Sequence, residues 1–263
     1  MKKLFFERPM VMGIVNITPD SFFDGGLYFN KQDALAHARE LADAGADILD
    51  IGAASSRPGY TPLSAGQELD RLSPLLDILP ADELPPLSID TDKPEVAKAA
   101  LEYGFTIINN SGLPTPEMSR VAAAYDSYLV LMFRGPFAKG DIISQMKSFF
   151  ERNIEMAVSQ GVPFDKLILD PGIGFDMDME QCRRLVAHTA DFLEFGRPLL
   201  LGMSNKRFIG ALGGGEAGQR GPGNIASELF AVSRGASIIR VHDVAASVQA
   251  LKIFGSLMKG AEE

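Results

Sequence analysis

Short apolar runs recur along the chain, and each gives way to a polar or glycine-containing loop and then to a longer segment with apolar residues at helical spacing. The runs are VMGIVN (11–16), DILDIG (47–52), PLSID (86–90), TIINN (106–110), YLVLMF (128–133), LILD (167–170), LLLGMS (199–204) and SIIRVH (237–242). Helix-period segments include KQDALAHARELADAG (31–45), KPEVAKAALEYG (93–104), SQMKSFFERNIEMAVSQG (144–161), DMEQCRRLVAHTADFLEF (178–195), NIASELFAVSRG (224–235) and ASVQALKIFGSLMKG (246–260). Several end in glycine, as helix C-termini do. Strands alternating with helices imply parallel pairing through right-handed crossovers. Eight such units predict a (β/α)8 TIM barrel of the α/β class, a single domain over residues 1–263. A doubly wound open sheet is the alternative, but the turn after its first strand is usually glycine-rich, and GIVNITPDSF (13–22) is not.

Composition narrows the partners. With 46% hydrophobic residues over 263 positions the chain can bury a large core. The formal net charge of -9 argues against nucleic acid as a partner, so an anionic ligand needs a local cluster of cations. The lone cysteine, Cys182, reads as a small packed residue on an amphipathic helix and points to a reducing compartment, hence a cytoplasmic protein. The opening MKKLFFERPM is broken by Glu7, Arg8 and Pro9 before a signal-type apolar segment forms, and no apolar run has the length of a membrane span.

In such a barrel the site lies at the carboxyl ends of the strands. Those ends carry Asn16, then Ser55, Ser56 and Arg57 after the second run, Asp90, Asn109 with Asn110, Asp170, Ser204 with Lys206 just beyond, and Arg240 with His242. The fifth, ending Met132 and Phe133, is the apolar exception. Taken singly, Asp90 could cap the following helix. A ring of caps, however, would not need inward carboxylates, amides and cations gathered together. Asp90, Asn109 and Asp170 suit the edge of a flat heterocycle bearing amino and carbonyl groups, with Lys206 in reach of the same ring. Arg57, Arg240, His242 and Asn16 suit an oxygen-rich anion such as diphosphate, and Asn16 offers a hard oxygen to a divalent cation. ITPDSFFDGGLYFN (17–30) reads as a lid, and AASSRPGYTPLS (53–64) as a second long loop around Arg57. GGGEAGQRGPGN (213–224) is not a phosphate loop, because no Gly-Lys-Ser or Gly-Lys-Thr closes it. It reads as a mobile connection, with Arg220 a solvated cation.

MGIVNITPDSFFDGG, ADILDIGAASSRPG, SIDTDKPEVAKAAL, INNSG, LILDPGIGF, SNKRFIG and IIRVHDV resemble, in order and over essentially the whole chain, the signature segments of the dihydropteroate synthase family. The resemblance implies a TIM barrel, usually a homodimer. The family joins 4-aminobenzoate to 6-hydroxymethyl-7,8-dihydropterin diphosphate with Mg²⁺ as cofactor, releasing pyrophosphate. Carried onto this chain, it implies Asp90, Asp170, Lys206 and Arg240 as catalytic residues. Asp90, Asn109, Asp170, Lys206 and Met132 would meet the pterin, and Asn16, Arg57, Arg240 and His242 the diphosphate, Asn16 with the metal. Asp20, Ser21, Phe22, Ser56, Arg57, Pro58 and Ser204 would form the aminobenzoate side. The chain departs from the family pattern at Asn110, where Asp is usual, at Phe133, where His is usual, and at Asn205, where Arg is usual. Ser55-Ser56-Arg57-Pro58-Gly59 is similar to a loop of sulfonamide-resistant members, but keeps Arg57 and Gly59. Two other readings stand beside the synthase: a barrel presenting methyltetrahydrofolate to a corrinoid partner, and a pterin-binding paralogue without catalysis.

Overall fold

The computed structural model describes residues 2–17, 31–54 and 62–260. Its eight strands are β1 (Met10–Asn16), β2 (Ile48–Gly52), β3 (Leu87–Thr91), β4 (Ile107–Asn110), β5 (Tyr128–Met132), β6 (Leu167–Asp170), β7 (Leu200–Leu201) and β8 (Ile238–Val241). All pair in parallel, in the order β6-β5-β4-β3-β2-β1-β8-β7. A parallel bridge from Leu169 to Leu199 brings β6 against β7 and closes the ring. The helices are α1 (Lys31–Asp43), α2 (Ala65–Leu76), α3 (Pro94–Glu102), α4 (Pro116–Ala124), α5 (Ile142–Ser159), α6 (Met179–Ala187), α7 (Arg207–Gly213), α8 (Gly221–Ser233) and α9 (Val244–Gly260). The expected barrel is therefore present, with every expected strand in place. Among the described residues no helix is long and apolar enough to cross a membrane.

Local chemistry sets the helix starts. Ser64 and Asp178 form capping boxes with Gln67 and Gln181, and the side chains of Thr115 and Asp141 accept from the first backbone N–H groups of α4 and α5. Asp90 caps nothing: the N-cap of α3 is Lys93, followed by Pro94 at the position where a missing N–H costs no bond.

Three segments differ from the sequence expectation. The helix expected over 178–195 is divided, with α6 ending at Ala187 and a 3-10 turn over Thr189–Phe195. There the Thr189 hydroxyl bonds back to the Val186 carbonyl at 2.9 Å, in competition with the helical ladder. The run 199–204 keeps only Leu200–Leu201 as strand, because beyond Gly202 the chain turns through Asn205, held at φ +61. GGGEAGQRGPGN, read as one connection, contains the end of α7, a 3-10 turn over Ala217–Gln219 and the start of α8.

Side chains alternate across each strand, and this builds the core in two parts. Outward positions pack on the helices with Leu35, Leu72, Val96, Met118, Phe150, Leu185 and Ile209 among others. Inward positions fill the lower barrel with Met10, Met12, Ile48, Ile107, Tyr128, Val130, Ile168, Leu200 and Ile238. Leu4 belongs to that inner cluster, and its backbone N–H donates to the Tyr128 hydroxyl at 3.2 Å, so the N-terminal segment closes the floor. Two residues further up five of the strands the inward side chain becomes a carboxylate, an amide or a cation. Ile48 is succeeded by Asp50, Ser88 by Asp90, Ile107 by Asn109, Ile168 by Asp170 and Ile238 by Arg240.

Candidate active site

This polar layer above the apolar floor is the site. Strand register places its members side by side: Asp90 pairs with Asn109, Met132 with Asp170, and Met12, on the strand next to Asp50, with Arg240. Arg240 lies at the centre. Its Nε donates to Asp50 Oδ2 at 2.6 Å and its Nη2 to Asp90 Oδ2 at 2.7 Å. Asn109 Nδ2 donates to the same Asp50 oxygen at 2.9 Å. Asp50 is fully buried, whereas the Asp90 and Arg240 side chains are 23% and 21% exposed and so face the mouth.

On the opposite side the Asp170 carboxylate accepts from the Gly172 N–H at 2.7 Å. Only glycine fits there: at φ +64 a Cβ would lie 1.9 Å from the Phe133 carbonyl oxygen. The Lys206 ammonium donates to the Ile173 carbonyl and sits 4.2 Å from the centre of the Phe175 ring. Arg134 approaches that ring too, at 5.5 Å, and donates to the Ser111 carbonyl at 2.8 Å.

Desolvation moves the ionisations toward neutrality. Burial pushes the Asp90 carboxyl up to about 6 against the opposing Arg240 guanidinium, and Asp50 adds to the rise. Burial likewise lifts Asp170 to about 6, opposed by Lys206, the Gly172 N–H and Arg240. Lys206 is lowered by burial to about 8, with Asp170 holding it from falling further. Burial works against the Arg240 cation, but Asp50 and Asp90 more than offset it and raise its pKa. The mouth thus holds carboxylates and cations at a desolvation cost that a ligand with complementary charge can relieve.

Of the residues singled out in the sequence, Asp90, Asn109, Asp170, Lys206 and Arg240 come together here, with Met132 buried beside Asp170. Asn16 ends β1 next to Gly52, half-buried at the rim. His242 is exposed, and its ring nitrogen lies 3.0 Å from the hydroxyl of the buried Ser204, which ties the ends of β7 and β8 together. Asp20, Ser21, Phe22, Ser56, Arg57 and Pro58 lie outside the described residues. The three departures from the family pattern stay out of the polar layer. Asn110 turns its amide oxygen to the Gly112 N–H, Phe133 stacks on Phe137 with ring centres 4.6 Å apart, and Asn205 exchanges bonds with Asn224.

Arg220 is not the solvated cation expected of it. Its guanidinium donates to the Asn205 carbonyl at 2.8 Å and the Gly215 carbonyl at 3.2 Å, bracing the loop that delivers Lys206. Asp50 escaped attention because it stands inside an apolar run rather than at its end. The available signal was its phase, two residues above Ile48 on the inward face.

The family model described as pterin binding enzyme matches residues 12–242. The chain is 35% identical to the dihydropteroate synthase of Escherichia coli, over 98% of its own length and 95% of that protein's. It is 39% identical, over 97% of its length, to a probable bifunctional folylpolyglutamate synthase/dihydropteroate synthase of Halobacterium salinarum, of whose length it spans 32%. The dihydropteroate synthase of Xanthomonas albilineans, solved with 4-aminobenzoic acid, superposes with a TM-score of 0.90 at 40% identity, covering 97% of this chain and 95% of the other. That protein has also been solved with 7,8-dihydropteroate. With a polar barrel mouth of this composition and likeness of this extent, the chain belongs to the family of pterin-binding enzymes.

Proposed function

We propose that the chain is a dihydropteroate synthase. It condenses 6-hydroxymethyl-7,8-dihydropterin diphosphate with 4-aminobenzoate to give 7,8-dihydropteroate and pyrophosphate, a transferase step of folate biosynthesis. The observation that carries the reading is the convergence of Asp90, Asn109, Asp170, Lys206 and Arg240 over one apolar barrel floor. A pterin edge alternates N–H donors with ring-nitrogen and carbonyl acceptors. The two carboxylates answer the donors, the Asn109 amide can answer either, and Lys206 answers an acceptor. When the bond between the exocyclic methylene and the diphosphate oxygen breaks, the electron pair leaves with the diphosphate and the pterin carries positive charge. Asp90 and Asp170, fixed in a poorly solvated pocket, stabilise that charge. The arylamine nitrogen then bonds to the methylene and loses a proton, so no protein nucleophile is required.

Arg240 in the mouth and His242 at the rim suit the departing diphosphate, and Asn16 ends the neighbouring strand β1. Among the described residues no trio of His, Cys, Asp or Glu is grouped to hold a metal ion. Mg²⁺ commonly takes one or two protein oxygens and the rest from substrate phosphate and water. Asn16 would supply the protein oxygen, and the ion would neutralise the leaving group. The aminobenzoate would bind towards Ser204 and the long loops that carry Asp20, Ser21, Phe22, Ser56, Arg57 and Pro58.

The protein is read as a cytoplasmic homodimer. The buried lone Cys182 suits a reducing compartment. Leu212, Phe230, Ile253 and Leu257 are exposed on the neighbouring helices α7, α8 and α9, which offers an apolar face to a second copy. Sedimentation should give twice the 28.4 kDa chain mass, and a monomer at high concentration would refute the pairing.

The deciding assay mixes purified protein, pterin diphosphate, 4-aminobenzoate and Mg²⁺ and follows pyrophosphate release with dihydropteroate formation. Pterin binding without product would favour a non-catalytic paralogue, and methyl transfer to a corrinoid the methyltransferase reading. Asp90→Asn should lower kcat/KM about tenfold or more, since it removes charge at the reacting ring. An unchanged rate would remove Asp90 from the mechanism.

A further inference from the structure

We propose that Asp50 is a positioning residue for both halves of the site: it fixes the face that Asn109 turns to the pterin and anchors Arg240 for the diphosphate. The inference rests on the pterin reading above. Asp50 is the upper inward side chain of β2, fully buried below the mouth, and one of its oxygens, Oδ2, accepts both from Asn109 Nδ2 at 2.9 Å and from Arg240 Nε at 2.6 Å. The other oxygen, Oδ1, is buried with no partner among the described residues. An isolated asparagine amide can rotate by half a turn and exchange its donor and acceptor. Here the exchange would set the Asn109 carbonyl oxygen against the Asp50 carboxylate, so the amide is locked with its nitrogen inward. A ligand therefore meets the Asn109 carbonyl oxygen and the one remaining amide hydrogen in a fixed order.

Arg240 is held in a complementary way. Asp50 takes Nε, the nitrogen closest to the backbone, and Asp90 takes Nη2 at the tip. A pterin that recruits Asp90 would release the tip, while the anchor at Nε keeps the guanidinium plane in place. Asp50 thus joins β2, β4 and β8 beneath the ligand, touching no ligand itself.

The test is direct titration of wild-type protein, Asp50→Ala and Asp50→Asn with 6-hydroxymethylpterin across pH, together with kcat and KM for the pterin diphosphate. Asp50→Ala should weaken pterin binding about tenfold or more, raising KM and lowering kcat. Asp50→Asn keeps an acceptor where Oδ2 stands, so it should recover most of that affinity. It should also move the acid limb of binding to lower pH, because it removes a negative charge that acts on Asp90 and Asp170. Those two carboxylates also face Arg240, Glu68 and Ser111 around Asp90, and Lys206, Arg240 and the Gly172 N–H around Asp170. A purely structural Asp50 would show in folding stability and leave the pterin KM of the folded variants unchanged. Equal impairment of the two variants, or unchanged pterin affinity in a folded Asp50→Ala, would overturn the proposal. Where Asp50→Ala does not fold, a wild-type pterin complex decides: loss of either bond to Asp50 overturns the inference, and retention of both with the Asn109 oxygen on the ligand supports it. Wild-type binding without turnover would defeat the synthase reading alone, whereas failure to bind pterin would defeat both.

Discussion

Lys206 and Asp170 set the working pH range of the mouth. For the proposed reaction the ring needs both carboxylates ionised and the ammonium protonated. With Asp90 and Asp170 at about 6 and Lys206 at about 8, kcat/KM should rise through the first value and fall through the second. Lys206→Arg keeps its charge far above that range, so it should abolish the alkaline limb while weakening substrate binding. A limb that persists near 8 in the variant would assign it to another group. Most of these residues were legible because a polar side chain that interrupts an apolar strand at its carboxyl end has few uses other than a ligand. Asp50 was not, since mid-strand burial of a carboxylate becomes intelligible only once Asn109 and Arg240 are seen beside it. Those residues lie 59 and 190 positions away in sequence.

The loop between β7 and α7 is an element whose order comes from elsewhere in the chain. Asn205, at φ +61, donates its backbone N–H to Asn224 Oδ1 at 3.0 Å, and its side-chain oxygen accepts from Asn224 Nδ2 at 2.9 Å. Arg220 braces the same turn through the Asn205 carbonyl. Asn224→Ala should cost about 1–2 kcal/mol of stability, by orphaning buried polar groups around a residue in left-handed backbone. Differential denaturation of the two proteins checks this, and equal midpoints would show that the turn holds itself. Gly174 serves the other side of Lys206. At φ +85 it leaves a gap where an added Cβ would lie 2.7 Å from Lys206 Cδ. Gly174→Ala should therefore displace the ammonium and reduce kcat/KM about tenfold, with a raised KM for the pterin substrate. None of this bracing was visible in GGGEAGQRGPGN. Arg220 bonds to backbone carbonyls, and carbonyls leave no mark in a sequence.

The whole barrel was legible because eight short apolar runs alternate with longer segments of helical period, and every run but the fifth ends in or leads into polar residues. What periodicity could not give was the cost of gathering those residues in one poorly solvated mouth, and that cost has a measurable sign. Asp170 has a folded pKa of about 6, above its ordinary 3.8, so the folded chain binds this proton more tightly than the unfolded chain does. By linkage its contribution to stability is greatest below the unfolded value, declines as pH rises from about 4 to about 6, and is constant above that. A neutral amide in its place would carry no such dependence. Stability curves of wild type and Asp170→Asn, measured by urea unfolding, should therefore diverge across that window. From pH 4 to 7 the variant should gain on the order of 2 kcal/mol relative to wild type while its synthase activity is lost. Curves that stay parallel would mean that Asp170 is ionised without penalty and that the mouth holds no such strain for a pterin to relieve.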